Sequence, residues 1–250
     1  MQLPRIAALL FDMDGTLVDS DAAVDRAWLT WCAEFGVDAG HAMAIAPGHP
    51  AADTVNALLA DRLDPEAVAA AAVRQLELQY DDLSDVVAAE GAHELLALVD
   101  ELGLPWAVVT SADERLAKAR LGAARIAAPV LITTDDISRG KPDPAGYLLA
   151  ARRLSVPPTG CLVVEDAEAG VIAGRAAGAS VAALKGVPAD FALATLHDLT
   201  AALDDAQAAD PSATQHDLAS ALDDAAVHLP LSATRNGQAS APTTRPPATP

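Results

Sequence analysis

The chain has 250 residues, a length that suits one large domain or a core domain with a small insert. Its 16 Lys and Arg stand against 35 Asp and Glu, which gives a formal net charge of -19. That field repels nucleic acid, and an anionic metabolite would need a local cation, a metal ion or a ring of backbone N–H groups. No apolar run approaches the roughly 18 residues of a membrane span, and Cys32 and Cys161 build neither a disulfide framework nor a zinc site. We therefore expect a cytoplasmic protein without a membrane or nucleic-acid partner, as a monomer or weak homodimer.

Apolar, β-branched runs recur along the chain, and most are followed by a turn and a helical pattern. The predicted strands are Ile6–Phe11, Trp106–Thr110, Val130–Thr133, Cys161–Val164 and Ser180–Leu184. The helices between them are predicted near Asp113–Leu121, Pro144–Leu154 and Glu168–Ala177. This alternation predicts an α/β fold with a doubly wound parallel sheet, a Rossmann-like core. In such sheets the ligand binds at the carboxyl ends of the strands.

The stretch between the first two predicted strands departs from that alternation. Helical periodicity near Asp21–Phe35, Ala51–Leu63 and Pro65–Tyr80 predicts an inserted α-helical cap domain over residues 18–87. The core would then comprise residues 1–17 and 88–205, with a helix near Gly91–Leu102 where the chain returns. Because the insert leaves just after the first strand, it can lie over the site like a lid.

The composition changes again near the C-terminus. Beyond residue 205 the chain is rich in Ala, Asp, Ser, Thr and Pro, which predicts a disordered acidic and Pro-rich tail over residues 206–250. Leu218–Leu231 is a weak helical pattern within it.

Two carboxylates follow the first predicted strand, where the chain enters a glycine turn. Asp12 and Asp14 lie two positions apart, so in strand geometry they would share one face. Like charges held close together are costly unless a cation lies between them, and Mg²⁺ is the hard cation that suits a phosphate site. Taken alone, the pattern is equally consistent with a solvated acidic turn.

Three further segments bring polar residues to the same predicted sheet edge. Thr110 and Ser111 end the second strand, although such hydroxyls also cap helices. Lys141 is one of three lysines and lies in a rigid Pro-containing turn before a helix. Glu165 and Asp166 follow a buried strand. Chance assembly of all four groups at one edge is improbable, so the sequence predicts a site there.

With these four motifs in this order, the chain resembles the haloacid dehalogenase-like hydrolase superfamily over about residues 5–200. Within it, the chain is most similar to the sugar- and glycerol-phosphate phosphatases and β-phosphoglucomutase, which carry a helical cap. The segments that carry the resemblance are Asp12–Ser20, Val109–Ser111, Arg139–Pro144, Val164–Gly170 and Ala173–Gly178.

The resemblance implies a Mg²⁺-dependent phosphatase that hydrolyses a small phosphorylated metabolite, a sugar or polyol phosphate, through an aspartyl-phosphate intermediate. Two alternatives stay open: a sugar phosphomutase, which would pass the phosphate through Asp12 to a sugar, and a degenerate member that binds without turnover. The Asp-Gly-Thr-Leu-Val form of the first motif favours hydrolysis. Asp14 argues against a dehalogenase, and a cap segment without lysine excludes the family's phosphonate hydrolases.

The resemblance also implies catalytic roles for three residues. Asp12 would attack phosphorus as the nucleophile, and Asp14 would act as general acid for the leaving alcohol and then as base for water. Lys141 would offset the charge of the phosphoryl group.

Metal and substrate ligands follow from the same comparison. Mg²⁺ would bind the Asp12 carboxylate, the Asp14 backbone carbonyl and Asp166, while Glu165 would bind it directly or hold a metal-bound water. Ser111 or Thr110 would bind the phosphoryl oxygens, and Ser111 is favoured.

One position in the predicted cap departs from the subgroup. His49 stands where relatives usually carry Arg, and it is a candidate substrate-binding residue, although an exposed turn histidine is as consistent with the sequence. Trp28 and Trp31 lie three apart in the first cap helix, a spacing more often used for core packing than for contact with a site.

Overall fold

The structure is a computed structural model that describes residues 6–209, and its central sheet confirms the predicted α/β class. Eight strands lie within these residues: β1 Ala8–Phe11, β2 Val18–Asp19, β3 Val87–Ala88, β4 Trp106–Val109, β5 Leu131–Ile132, β6 Cys161–Glu165, β7 Ser180–Ala183 and β8 Phe191–Ala192. Six of them form one sheet in the order β5-β4-β1-β6-β7-β8, and every neighbouring pair is parallel. Because β1 lies in the middle, its carboxyl end has neighbours on both sides.

Nine α-helices lie within the same residues, and five of them cover the sheet. The helices are α1 Asp21–Phe35, α2 Ala39–Ile45, α3 Ala51–Leu59, α4 Pro65–Asp81, α5 Ala92–Glu101, α6 Glu114–Ala123, α7 Ala145–Arg153, α8 Glu168–Ala176 and α9 Leu196–Ala209. Alternate side chains of β1 point to opposite faces. Leu9 and Phe11 pack in a cluster with residues of α5, α6 and α9, while Ala8 and Leu10 pack with α7 and α8. Helices on both faces make the sheet doubly wound, as predicted.

Helices α1 to α4, the cap helices, form a separate hydrophobic cluster. Its centre is Trp31, which is fully buried, donates from Nε1 to the carbonyl of Ala71 at 2.9 Å and meets Trp28 edge-on with 5.5 Å between ring centroids. The antiparallel pair β2–β3 joins the cap helices to the sheet, with Val18 opposite Ala88. The predicted cap limits, residues 18 and 87, fall on these two strands.

Several elements differ from the sequence prediction. The short α2, the β2–β3 pair and β8 were not expected, because two-residue strands and a seven-residue helix carry too little periodicity. Helix α9 runs to Ala209, past residue 206 where the predicted tail begins, because Leu203 and Ala206 are buried in the core cluster. The remaining predicted tail, with its weak helix at 218–231, lies outside the described residues. No helix between residues 6 and 209 has the length and apolar composition to cross a bilayer.

Candidate active site

The predicted site residues meet where the central strands end. Asp12 directly follows β1, Thr110 and Ser111 follow β4, and Glu165 is the last residue of β6, with Asp166 next to it. Since β4, β1 and β6 are adjacent and parallel, their carboxyl ends lie side by side at one edge of the sheet.

Lys141 reaches this edge from the loop between β5 and α7. Its Nζ forms an ion pair with Asp12 and lies 2.6 Å from Glu165 Oε1, and only 5% of its side chain is exposed. Burial by itself lowers the pKa of Lys141, but the charges of Asp12 and Glu165 outweigh burial and raise that pKa above its usual value. Lys141 is therefore a fixed cation within a strongly acidic protein.

Glu165 holds Lys141 in place. Its Oε1 accepts from the Tyr147 hydroxyl at 2.6 Å as well as from Lys141, and its Oε2 accepts from the backbone N–H groups of Asp166 and Ala167 at 3.1 and 3.3 Å. Protein donors thus occupy all four lone-pair positions of this buried carboxylate. Burial is also the largest cause that raises the pKa of Tyr147, followed by the charge of Glu165, so Tyr147 stays a neutral donor.

Three carboxylates form an acidic cluster that suits a metal ion. One oxygen from each of Asp12, Glu165 and Asp166 lies within 4.8 Å of the others. Burial, with added repulsion from Glu165, raises the pKa of Asp12 well above its usual value and raises that of Asp166 to about 6. A hard divalent cation with oxygen ligands would relieve this repulsion. Gly15, at φ +77°, keeps the space beside Asp166 open. Any larger residue there would clash, because its Cβ would lie 2.8 Å from Asp166 Cγ.

The Asp14 carboxylate lies outside that three-carboxylate cluster. Its Oδ1 accepts from the Ser20 hydroxyl at 2.6 Å, and its Oδ2 lies 2.8 Å from Nη1 of Arg120. The metal contact expected for Asp14 is through its backbone carbonyl, so this side-chain placement leaves the carboxylate available for proton exchange.

The two candidate phosphoryl-binding hydroxyls have different partners. Thr110 is buried, and its Oγ1 accepts from the backbone N–H of Ala112 at 3.1 Å. Ser111 donates from Oγ to the carbonyl of Gly48 at 2.8 Å, a contact between the core and the cap loop. Gly48, at φ +75°, allows this approach, because a Cβ there would lie 2.8 Å from the Ala167 Cβ. The preference for Ser111 over Thr110 stays a prediction.

A cavity of about 610 Å³ separates the cap helices from the sheet edge. Asp12, Asp14 and Asp166 line its core side. The cap side is largely apolar and includes Trp28, Val24, Met43, Ala72, Val73 and Leu76. His49 also lines the cavity, with Nδ1 3.1 Å from the carbonyl oxygen of Pro47. The structure thus brings every predicted site residue to this cavity or to the ion pairs beneath it.

Several residues near the site were missed by the sequence analysis. Arg120 is buried on the face of α6 that also buries Leu116 and Leu121, and a charge on an apolar helix face was the available signal. Lys185 forms an ion pair with Asp166, with 3.0 Å between Nζ and Oδ2. Ser20 and Tyr147, which contact Asp14 and Glu165, gave no signal beyond ordinary polar residues near a motif.

Comparison with known proteins agrees with this arrangement. A family model described as haloacid dehalogenase-like hydrolase matches residues 6–178. Hexitol phosphatase A of Escherichia coli strain K12 is 40% identical over 187 residues, 74% of this chain and 86% of that protein. Validoxylamine A 7'-phosphate phosphatase of Streptomyces hygroscopicus subsp. limoneus is 37% identical over 177 residues, 68% of this chain and 81% of that protein.

A solved structure shares the fold as well. The crystal structure of a hydrolase from Pseudomonas syringae superposes with a TM-score of 0.66 at 27% identity, over 71% of this chain and 84% of that chain. The family match covers more than half of the chain, and the first relative covers about three quarters of it. The resemblance seen in the sequence is confirmed: the chain belongs to the haloacid dehalogenase-like hydrolases.

Proposed function

We propose that this protein hydrolyses the phosphate monoester of a sugar or polyol through a phosphorylated Asp12. The observation that carries the proposal is the buried Asp12 at the centre of the sheet edge, paired with Lys141 and facing the cavity. The enzyme class predicted from the sequence, a phosphomonoester hydrolase of this family, is confirmed by the family match and by two relatives named as phosphatases.

In the first step, a carboxylate oxygen of Asp12 attacks phosphorus as the bond from phosphorus to the substrate's alcohol oxygen breaks. Asp14 gives its proton to that oxygen, so the leaving group departs as a neutral alcohol. Lys141 offsets the charge that the nucleophile and phosphoryl group bring together.

In the second step, water attacks the phosphorus of the aspartyl-phosphate. Asp14, now a carboxylate, takes the proton of the water, and the bond from phosphorus to Asp12 breaks. Inorganic phosphate leaves, and Asp12 and the protonated Asp14 are restored.

The donor set supports Mg²⁺ as the resident metal. Asp12, Asp166 and the backbone carbonyl of Asp14 would hold the ion, while Glu165, whose oxygens already have protein donors, would hold Lys141 beside it. Bound there, Mg²⁺ would neutralise phosphoryl oxygens and keep Asp12 ionised. The raised pKa of Asp12 supports this assignment, because a protonated carboxyl would be a poor nucleophile.

The cap helices would select the alcohol part of a small metabolite and keep bulk water away. Their apolar side chains line the outer wall of the cavity, and Gly48 contacts Ser111 beside the proposed phosphoryl position. His49 lines the cavity from the cap side, at the position where the resemblance noted in the sequence implies an arginine. We propose that His49 contacts the alcohol part, and that Ser111, with Thr110 behind it, binds the phosphoryl oxygens.

The sugar phosphomutase considered from the sequence is not favoured, because both relatives named above are phosphatases. A mutase would retain the phosphoryl group on the enzyme until a sugar hydroxyl accepted it.

The experiment is a panel of hexitol, hexose, glycerol and glycolytic phosphates, assayed for phosphate release with Mg²⁺ and with chelator. We expect release from a few polyol or hexose phosphates that chelator abolishes. Release of no phosphate, with glucose 1-phosphate converted to glucose 6-phosphate when a bisphosphate is added, would move the protein to the mutases. No reaction in either assay would contradict the proposal.

A further inference from the structure

We propose that Arg120 is a positioning residue for Asp14, and that Gln79 ties this pair to cap helix α4. The inference rests on the proposed function, in which Asp14 exchanges a proton with the leaving alcohol and then with water. It adds a hydrogen-bonded connection between the cap helices and Asp14, the acid–base group of the core.

Packing alone does not account for Arg120. The residue belongs to the buried face of α6, where Leu116, Ala117 and Leu121 are its neighbours, and only 2% of its side chain is exposed. A buried guanidinium is costly unless its N–H groups are well paired. Its Nε finds no partner among the residues that the structure describes. A leucine would fill this face without the desolvation cost of a buried charge, so the charge of Arg120 needs an explanation other than packing.

The guanidinium holds the Asp14 carboxylate in one orientation. Nη1 of Arg120 lies 2.8 Å from Asp14 Oδ2, while the hydroxyl of Ser20 donates to Asp14 Oδ1 at 2.6 Å. One donor on each oxygen fixes the plane of the carboxylate and leaves a lone pair on each for proton exchange. Ser20 alone would leave the carboxylate free to turn about its last bond.

The other branch of the guanidinium reaches the cap. Nη2 of Arg120 donates to Oε1 of Gln79 at 3.0 Å, and Nε2 of Gln79 donates to Oε1 of Gln75 at 2.6 Å. Both glutamines belong to α4, and Gln75 is fully buried. A continuous chain of hydrogen bonds therefore runs from Asp14 through Arg120 into the interior of the cap. Movement of α4 away from the sheet would break or turn the pair that holds Asp14.

The two chemical steps respond differently when Asp14 is misplaced. An alkoxide needs a proton as it leaves, whereas p-nitrophenolate is stable enough to leave without one. The ratio kcat/KM depends only on the steps up to the departure of the leaving group. When Asp14 is misplaced, kcat/KM should therefore fall for a polyol phosphate and stay nearly unchanged for p-nitrophenyl phosphate. The second step needs Asp14 as a base for both substrates, so the phosphorylated enzyme should accumulate.

The test compares Arg120→Ala with wild type on the best polyol phosphate and on p-nitrophenyl phosphate, with Mg²⁺ present. We expect kcat/KM to fall about 100-fold for the polyol phosphate and less than about 3-fold for p-nitrophenyl phosphate, as for loss of a general acid. With p-nitrophenyl phosphate, kcat should fall and a burst of p-nitrophenol, about one per active site, should appear.

Further variants make the pattern specific. Arg120→Lys, which keeps a charge near Asp14, should recover part of the activity on the polyol phosphate. Gln79→Ala should give the same selective loss, smaller in size, because it removes only the cap end of the chain. Asp14→Asn gives the reference pattern, and Lys118→Ala, on the exposed side of α6, should leave both substrates unchanged.

Equal losses on both substrates, or no loss in Arg120→Ala, would overturn the inference. If Arg120→Ala does not fold, Arg120→Lys and Gln79→Ala test the inference. The quantity compared is again the loss of kcat/KM on the polyol phosphate relative to that on p-nitrophenyl phosphate. A wild type active on both substrates, with the selective loss in Asp14→Asn but not in Arg120→Ala, would refute the role of Arg120 alone. A wild type inactive on both, or an Asp14→Asn variant as active as wild type, would refute the proposed function itself.

Discussion

The core edge and the cap helices contribute opposite kinds of surface to one cavity. At the core edge, Asp12, Lys141, Glu165 and Asp166 are buried or nearly so and bonded to one another. The cap side is lined largely by apolar groups, with Trp28 among them. Fixed charges at the strand ends suit a phosphoryl transfer that is the same for any alcohol, whereas an apolar wall with few polar groups suits a choice among alcohols.

The two regions also differ in how they are stabilised. The core strands are tied by parallel pairing on both sides of β1, which fixes the direction of each residue that follows them. The cap helices rest on their own cluster around Trp31. They meet the core through apolar packing of Ala23, Leu76 and Tyr80 and through polar contacts such as that of Ser111 with Gly48. The comparison therefore predicts that core variants lower kcat while cap variants change substrate preference.

The largest effect should come from Asp12→Asn, because the amide cannot attack phosphorus. We expect turnover to fall at least about 10⁴-fold, as for loss of a nucleophile in other enzymes. The matched control is Asp19→Asn, an exposed acid in the same segment that should retain activity. Residual activity above one per cent of wild type in a clean preparation would contradict the assignment.

Lys141→Ala should rank next. The variant loses the cation that offsets charge in the transition state, so kcat should fall about 10²- to 10³-fold, comparable with removal of one stabilising donor. Thermal unfolding should be measured alongside, because Asp12 and Glu165 would lose their partner. Lys118→Ala, an exposed lysine on α6, is the control. A near-wild-type kcat would refute the role of Lys141.

Metal binding can be tested by pH dependence. In metal-free protein, burial and the charge of Glu165 raise the pKa of Asp166 from 3.8 to about 6. Between about pH 4 and pH 6 the folded protein binds more protons than the unfolded chain, so the free energy of unfolding falls as pH rises and stays lower above that window. The total change is about 3 kcal/mol.

Asp166→Asn should flatten this part of the pH profile, and Mg²⁺ at pH 7 should raise the Tm of wild type more than that of the variant. Asp21→Asn, which removes the other partner of Lys185, should keep the wild-type slope. An unchanged slope in Asp166→Asn would show that another group titrates in this range.

The smallest effect belongs to the cap. His49→Ala should change KM for the preferred substrate about 2- to 10-fold, the range expected for one hydrogen bond, and leave kcat nearly unchanged. His41→Ala, an exposed histidine on α2, is the control. Equal kinetics for both variants across the substrate panel would show that His49 is an ordinary turn residue. A large loss in kcat would contradict the prediction that cap variants change substrate preference and core variants lower kcat.

Local sequence was sufficient for the strand ends and insufficient for the contacts between helices. Asp12, Thr110 and Glu165 each follow a short apolar run, and a parallel sheet places such ends together whatever lies between them. Arg120 and Gln79 lie 41 positions apart on two helices, and only the packing of α4 near α6 brings them together. No local pattern predicts such a pairing.

The same reasoning applies to single residues. The oxygens of Glu165 are saturated in part by Tyr147, which lies on α7, 18 positions away in the chain, so this hydrogen bond was not readable from the motif. The end of α9 was not readable because its sequence is acidic and alanine-rich, while burial of Leu203 and Ala206 stabilises the helix beyond residue 205. Tertiary packing decided both features.

In the proposed reaction, the phosphoryl group passes through a covalent bond to Asp12. The most direct measurement is an acid quench of the enzyme during turnover of its best substrate, followed by peptide mass spectrometry. We expect a single phosphoryl group on the peptide that contains Asp12, present in wild type and in larger amount in Asp14→Asn, where its hydrolysis should be slowed. A steady release of phosphate with no phosphoryl group on that peptide in either protein would contradict the proposed reaction.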